Sequence, residues 1–310
     1  MFKVPILLVL YNRIEVTHNL FQILQTIQPT QLYVAGDGCK ADNTLDRTHV
    51  YQTRAVIQPA WPCQMHTLWQ DEHLGKSKMI FKAMQWFFEN EEEGIILFED
   101  TLPTYDFFPY CEELLRQYRN DEQVFSIGGT YLRHRSRQKY KKRLRRGGSS
   151  YFFSSYATSW GFATWRNRWQ DFTYSMAQYD NEKIAEIVAR YMKKSRHRSY
   201  WTTRFNIIKK SNAPYWDYQV NLHVWTHNGI CIQPYLNLVT NVGFKGNDKR
   251  RIRHLRKNAY PIMPLTHPQE KEINHKEDKF MFRHIYKRAY FYLFKDWLKD
   301  IFPNKKEEEK

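Results

Sequence analysis

Carboxylates stand where strands are expected to end in the first hundred residues, a placement suited to handling a charged ligand. Glu99 and Asp100 follow the apolar run 95–98, the kind of run that fills a buried parallel strand. Asp37 sits between Gly36 and Gly38 after residues 31–35, and Asp71 follows residues 65–69 in the string Gln70-Asp71-Glu72-His73-Leu74-Gly75-Lys76. In open α/β sheets ligands bind in the crevice at the carboxyl ends of the strands, so acids there face a site and not a core. Plainer roles exist for each: a polar turn after Phe98, a turn-forming Asp-Gly at Asp37, and a solvated Lys76 where a lysine could instead meet phosphate as a point charge. Farther along, Asp217 opens a helical pattern within Tyr215-Trp216-Asp217-Tyr218-Gln219, where an acid suits a helix N-cap.

The elements that must position these groups alternate. Residues 4–10 read as a buried strand, a helix starts at Asn12 or Thr17 and runs to about Ile27, and residues 31–35 form a second strand. A mostly polar helix over about 43–56 leads past Pro59 and Pro62 to a third strand near 65–69. Next comes a helix with Met79, Ile80, Ala83, Met84 and Phe87 on one face, then the strand at Ile95. Pro103 stops its continuation, and Asp106 is placed to cap a helix through Tyr118. This alternation predicts an α/β fold, doubly wound on a mainly parallel central sheet flanked by helices.

The second half differs in texture. After a fifth strand at 124–127, residues 133–146 hold nine Lys or Arg and no acid, and self-repulsion predicts an exposed, mobile loop. Residues 151–155 resume as strand. Helical patterns cover 181–194 and surround 201–209, and a third helix runs to His227, ended by Asn228-Gly229. Residues 230–240 are extended, a second basic stretch reaches Lys257, and apolar residues recur at near-helical spacing over 280–302. His223 and His227 are four apart on one helix, too few for a metal site without a third ligand.

Composition sets the bounds. A chain of 310 residues with 42% apolar and 16% aromatic content can bury a substantial core, and a net charge of +16 points to anionic partners. The four cysteines form no CxxC pair, so neither zinc nor a disulfide framework is signalled and a reducing compartment is expected. The apolar run 4–10 is too short for a membrane span.

The strings PILLVLYNR, LYVAGDG, QDEHLGK, GIILFEDTLPTYDFFPYCEELL, SWGFATW, YWDYQ, NVGF and PLTHP, followed by DKFMFRH, stand in order along nearly the whole chain. In order and spacing they resemble bacterial nucleotide-sugar glycosyltransferases, GT-A-fold proteins related to family 2. The resemblance implies a donor half over 1–130, an acceptor and catalytic half of the same domain over 131–260, and a helical C-terminal extension over 261–310. It implies transfer of a sugar from a nucleoside diphosphate to an acceptor hydroxyl with inversion, in the synthesis of a bacterial surface glycan such as capsule or lipopolysaccharide. Asp217 would be the base. Asn12, Arg13, Asp37, Asp71, Lys76, Glu99 and Asp100 would bind the donor, and Trp160, Gly161, Trp165 and Trp216 would wall the acceptor site.

The sequence departs from the family at the metal. The family's last acid of the central motif holds Mg²⁺ or Mn²⁺ across the two phosphates, and that position here is Thr101. Three arrangements follow: a weak metal site on Asp100 with or without Glu99, a metal-free site in which Lys or Arg neutralises the diphosphate, or a degraded scaffold that binds nucleotide-sugar or glycan without turnover. The acidic and His-Thr residues usual after NVGF are also replaced, by KGNDKRRIRH. Expected partners are a nucleotide-sugar, a glycan or lipid-linked acceptor and an anionic membrane surface, which gives a cytoplasmic protein peripheral on the inner face of the membrane. Nucleic acid is not expected, since the basic stretches lack the aromatic interleaving of a stacking surface.

Overall fold

The computed structural model describes residues 1–131, 133, 137–173, 175–211, 215–243 and 261–286. Near-continuous apolar sequence produces strands buried along most of their length: β1 (Ile6–Leu10), β2 (Gln31–Gly36), β4 (Glu93–Phe98) and β6 (Val124–Gly128). With β3 (Gln64–Trp69), β7 (Tyr151–Ser154), β8 (Phe162–Trp165) and β9 (Ile230–Pro234) they build one sheet in the order β3-β2-β1-β4-β8-β6-β9-β7. The fold is mixed α/β with a large, mostly parallel sheet. β1, β2, β3 and β4 run parallel, as do β6 and β9, while β8 enters antiparallel between β4 and β6 and β7 closes the far edge antiparallel to β9. A short second ladder joins β5 (Thr101–Pro103) to β10 (Val239–Asn241).

Alternation along the strands separates two cores. Ile6, Leu8 and Leu10 pack with α1 (Ile14–Ile27) and α4 (Phe107–Tyr118), whereas Leu7 and Val9 pack with α3 (Lys76–Asn90) and with α6 (Asn181–Tyr191), α7 (Ser195–Ser211) and α8 (Trp216–Thr226). α2 (Thr44–Ala55) is capped by Asn43, whose Oδ1 accepts from Asp46 N. α8 is buried nearly all round, polar Gln219, Asn221 and His223 included, as in a fully packed helix. Of residues 216–225 on that helix, all but Asp217 are buried. It ends as its Asn228-Gly229 signal predicts: Asn228 is left-handed at φ 55°, and Gly229 N donates to Val224 O at 2.8 Å.

Three expectations change. The basic segment is not a loop: α5 (Arg137–Arg145) forms because the tertiary structure anchors it. Tyr140 is buried and donates to Ser150 Oγ at 3.0 Å, and the Arg143 guanidinium lies 3.7 Å over the Tyr235 ring. Asp106 does not cap α4 through its side chain; its Oδ2 accepts from Ile262 N at 2.6 Å and ties down the late segment. The C-terminal helix begins earlier than its periodicity suggests, as α9 (His275–Met281) with a π turn to Tyr286. That segment covers β7, an edge that would otherwise be open. Asn274 N donates to Phe153 O at 2.8 Å, and buried Asp278 accepts from the hydroxyls of Ser154 and Ser155, both at 2.6 Å. The basic stretch 245–257 and the helical pattern beyond Tyr286 lie outside the described residues, among which no helix is long and apolar enough to cross a membrane.

Candidate functional site

The chain runs outward from β1 through β2 to β3, then returns to place β4 on the other side of β1. That reversal leaves a crevice at the carboxyl ends of β1 and β4, the place where open α/β sheets bind ligands. Tyr11, Asn12 and Arg13 enter it from β1, and Glu99 and Asp100 from β4. The crevice has two lobes that share Arg13, Lys76 and Asp100 as a common wall. Lobe 1, about 320 Å³, is lined also by Asn12, Asp37, Lys40, His73 and Glu99. Lobe 2, about 370 Å³, is lined by Thr130, Ser159, Trp160, Asp217, Tyr218 and Tyr286 among others.

Asp37 organises lobe 1. It is 2% exposed, and its Oδ1 accepts from Gly38 N at 3.0 Å and Leu74 N at 2.8 Å, while Oδ2 accepts from Gly75 N at 3.0 Å and meets His73 Nδ1 at 2.9 Å. A carboxylate has about four lone-pair sites, so no acceptor is left for a ligand. Asp37 lines lobe 1 and also positions it, tying the turn after β2 to the loop that starts α3. Gly38 belongs to the same join, since a Cβ there would collide with the Glu72 backbone. Arg54 adds to it, donating to Asp37 O at 3.1 Å and Gln70 O at 2.8 Å.

A second buried acid, Asp46, fixes the other side. Burial alone would raise its pKa, but the Lys40 N–H at 2.7 Å, the Tyr11 hydroxyl at 2.8 Å and the Asn12 amide at 2.6 Å outweigh burial and hold it below the ordinary carboxylate range. Asn12 therefore faces lobe 1 in a set orientation. Asp71 does not face it: that side chain is exposed and outside both lobes, and of the 70–76 string it is His73 and Lys76 that line the crevice.

At the shared wall Arg13 bridges both acids, with Nε 3.5 Å from Glu99 Oε1 and Nη1 3.4 Å from Asp100 Oδ2. Glu99 is buried, and burial lifts its pKa against the opposing pull of the Tyr11 N–H and Arg13. Val242 N donates to Asp100 O at 2.8 Å and brings Gly243 over the pair, where a Cβ would collide with the Asp100 carboxylate and the Arg13 guanidinium. Thr101 has turned away. Its hydroxyl is fully buried, donates to Phe98 O at 2.7 Å and accepts from Phe98 N at 3.0 Å, closing the turn after β4. An acid at 101 would thus meet backbone and not the crevice.

The donor set fits a divalent ion in one way. Among the described residues no three His, Cys, Asp or Glu are grouped to hold a metal. Mg²⁺ and its like are often held by one or two carboxylates plus substrate phosphates, and Asp100 can serve an ion that arrives that way.

In lobe 2 strand direction decides which aromatics take part. β8 is antiparallel to β4, with Phe162 opposite Ile96 and Trp165 opposite Glu93, so Trp160 and Gly161 reach the crevice edge while Trp165 is carried to the other end of the sheet. There Trp165 is 2% exposed beneath the Arg168 guanidinium, and it walls no acceptor site. Gly161, at φ 80°, packs its backbone against Val239. Trp216 is buried too, stacked 6.1 Å from Trp169 under the site. Asp217 is exposed in the first turn of α8, where the dipole favours an acid, and its carboxylate has no hydrogen-bond partner among the described residues.

His223 and His227 do not converge on a ligand site. The buried His223 Nε2 donates to Arg168 O at 2.8 Å, and His227 Nδ1 meets His223 O at 2.9 Å. Burial pushes the His223 pKa down from 6.5 to about 4, against the Arg168 carbonyl, which favours the charged ring. The folded value lies below the unfolded one, so the stability is full above pH 6.5 and is lost as pH falls toward 4. A loss of about 3 kcal/mol across that window is expected in denaturant titrations. His223→Gln, which keeps a donor for Arg168, should flatten it; an unchanged slope would rule out His223 as its source.

Sequence reasoning did not reach Asp46, Arg54, His73, Thr130, Gly243 or Tyr286. Only His73 and Gly243 lay in strings already singled out, and the others are recruited by tertiary contact. No protein-family model matches the chain, and no curated protein matches it in sequence. Similar solved structures include a mannosyltransferase from Pyrobaculum calidifontis in complex with GDP-Man and Mn²⁺, 12% identical over 72% of this chain and 69% of that chain, with a TM-score of 0.37. UDP-glucose pyrophosphorylase complexed with UDP-glucose is 11% identical over 42% of this chain and 59% of that chain, with a TM-score of 0.25. Likenesses this distant carry no argument about the site.

Proposed function

We propose that the protein is a GT-A-type glycosyltransferase: lobe 1 takes a nucleoside-diphosphate sugar, lobe 2 an acceptor hydroxyl, and Asp217 removes the acceptor proton in an inverting displacement. The observation that carries this is the shared wall of Arg13, Lys76 and Asp100 between two lobes, with the one exposed acid of α8 facing the second. A diphosphate against that wall would put the anomeric carbon at the junction, within reach of a hydroxyl from lobe 2. A solvent-facing carboxylate with no partner among the described residues is free to accept that proton. The bacterial surface-glycan setting and the lipid-linked acceptor rest on the sequence resemblance alone.

Charge favours one of the three arrangements for the diphosphate. The cations lining lobe 1 (Arg13, Lys40, Lys76) are matched by its carboxylates (Asp37, Glu99, Asp100), leaving no surplus for an incoming dianion. A Mg²⁺ or Mn²⁺ carried in on the diphosphate and held by Asp100 would supply the missing charge and offset that of the leaving group. Mn²⁺ alone should therefore show no saturable binding in calorimetry. Nucleoside-diphosphate affinity should rise about tenfold or more with Mn²⁺, and Asp100→Asn should erase that increment. Equal affinity with Mn²⁺ and with EDTA would instead favour neutralisation by Lys and Arg.

The Thr101 hydroxyl bonds the Phe98 backbone, so the scaffold without turnover stays the second reading, and turnover decides between the two. The test is hydrolysis and transfer with a panel of UDP-, GDP- and CMP-sugars. Turnover of one donor is expected; saturable donor binding with no turnover across a broad acceptor set would return the protein to the binding class.

A further inference from the structure

The wall of lobe 2 formed by Ile285 and Tyr286 belongs to a part of the molecule whose charge the transfer chemistry does not use. Residues 187–216 contain eight Lys or Arg and no acid. Lys194 and Arg196, at the start of α7, and Lys279 and Arg283, four apart on the last described helix, are all exposed. The two stretches are held face to face. The His197 ring lies 3.9 Å from Phe282, Tyr200 lies 5.2 Å from the same ring, and the Tyr200 hydroxyl donates to Tyr286 O at 2.9 Å.

The acids of this region point inward. Glu277 is buried against the Tyr131 hydroxyl and Arg133, and Asp278 against Ser154 and Ser155. Among the described residues none of the four cations is ion-paired, and a like-charged pair four apart destabilises its own helix. Lys194 and Arg283 lead the influences that hold the Lys279 ammonium below the ordinary lysine value, so the cluster lacks a counter-charge.

We propose that Lys194, Arg196, Lys279 and Arg283 form a docking surface for an anionic phospholipid bilayer, whose headgroup phosphates supply that counter-charge. Charge alone would suit nucleic acid equally; the continuation of the chain decides. From Tyr286 the sequence runs directly into residues 287–302, KRAYFYLFKDWLKDIF, where six aromatics are interspersed with lysines, a composition suited to a membrane interface. Docking there would bring lobe 2 toward the lipid. On the glycosyltransferase reading, on which this clause alone rests, a lipid-linked acceptor would reach the site from the membrane.

Full-length protein co-sedimented with phosphatidylcholine vesicles, with and without phosphatidylglycerol and with no nucleotide present, tests the surface independently of catalysis. Binding to the anionic vesicles only, weakening with salt, is expected. Each Lys or Arg at an anionic surface is worth roughly fivefold, so the variant with Gln at all four positions should bind about 100-fold more weakly or worse. The pairs Lys194→Gln with Arg196→Gln and Lys279→Gln with Arg283→Gln should each fall between. Lys141→Gln with Lys142→Gln, on exposed positions of α5, should bind as wild type. Unchanged binding of the fourfold variant, equal binding to neutral vesicles, or binding to single-stranded RNA in place of vesicles would each overturn the proposal.

Discussion

Asp217→Asn is expected to lower sugar transfer by roughly 10²–10⁴-fold while leaving nucleotide affinity within about twofold. The split follows from position. Asp217 lines lobe 2 and not lobe 1, so a nucleotide bound in lobe 1, as proposed, would not meet it. Asn keeps the shape of the side chain but cannot take a proton at working pH. Packing is hardly at stake, because the side chain is exposed while Trp216 and Tyr218 on either side are buried. A structural role at the α8 terminus would show differently: an exposed acid in a first turn contributes about 0.3–1 kcal/mol to stability and nothing to turnover. Rates and thermal denaturation of the same variant separate the two, and full activity with reduced stability would end the case for a general base.

Asp37→Ala is expected to destabilise the protein by about 3–5 kcal/mol and to weaken nucleotide binding with it. The residue is 2% exposed, and removing it leaves the amides of Gly38, Leu74 and Gly75 and the His73 ring without their acceptor. Those groups set the path of the chain into α3, so Lys76 loses its place as well. Asp37→Asn should fall between, because its NH₂ group would face donors where the carboxylate oxygen accepted. Urea denaturation and calorimetry distinguish positioning from direct contact. Stability within about 1 kcal/mol of wild type with nucleotide affinity lost would show that Asp37 touches the ligand and does not merely hold the loop.

What could be read from the sequence and what could not divide along a physical line. Runs such as Ile95 to Phe98 and the Met79, Ile80, Ala83 spacing are local patterns, and they placed β1, β2, β4 and α3. The acids at the strand ends followed, since where a chain leaves a strand is also local. Direction is not. Nothing within Trp160 to Trp165 says that β8 runs against β4, and that fact alone separates the two tryptophans by the length of a strand. Hydrogen-bond partners are no more visible: Asp71 and His73 compete for one crevice, and the choice falls to His73 because its partner Asp37 lies thirty-six residues earlier in the chain. The same holds for α5, whose charge argues for a loop until Tyr140 and Arg143 find Ser150 and Tyr235. Nor does a position in the sequence record where its side chain points: the Thr101 hydroxyl faces the Phe98 backbone.

Calorimetric titration of UDP, GDP and CDP in the presence of Mn²⁺, on wild type, Arg13→Ala and Lys76→Ala, bears most directly on the two-lobed crevice. One of them should bind wild type in the micromolar range, about −8 kcal/mol, and at least about tenfold more weakly in both variants, because both residues form the wall against which the proposed diphosphate would lie. Absence of saturable binding by any of the three to folded wild type, or affinity unchanged in both variants, would contradict the placement of a nucleotide-sugar in lobe 1.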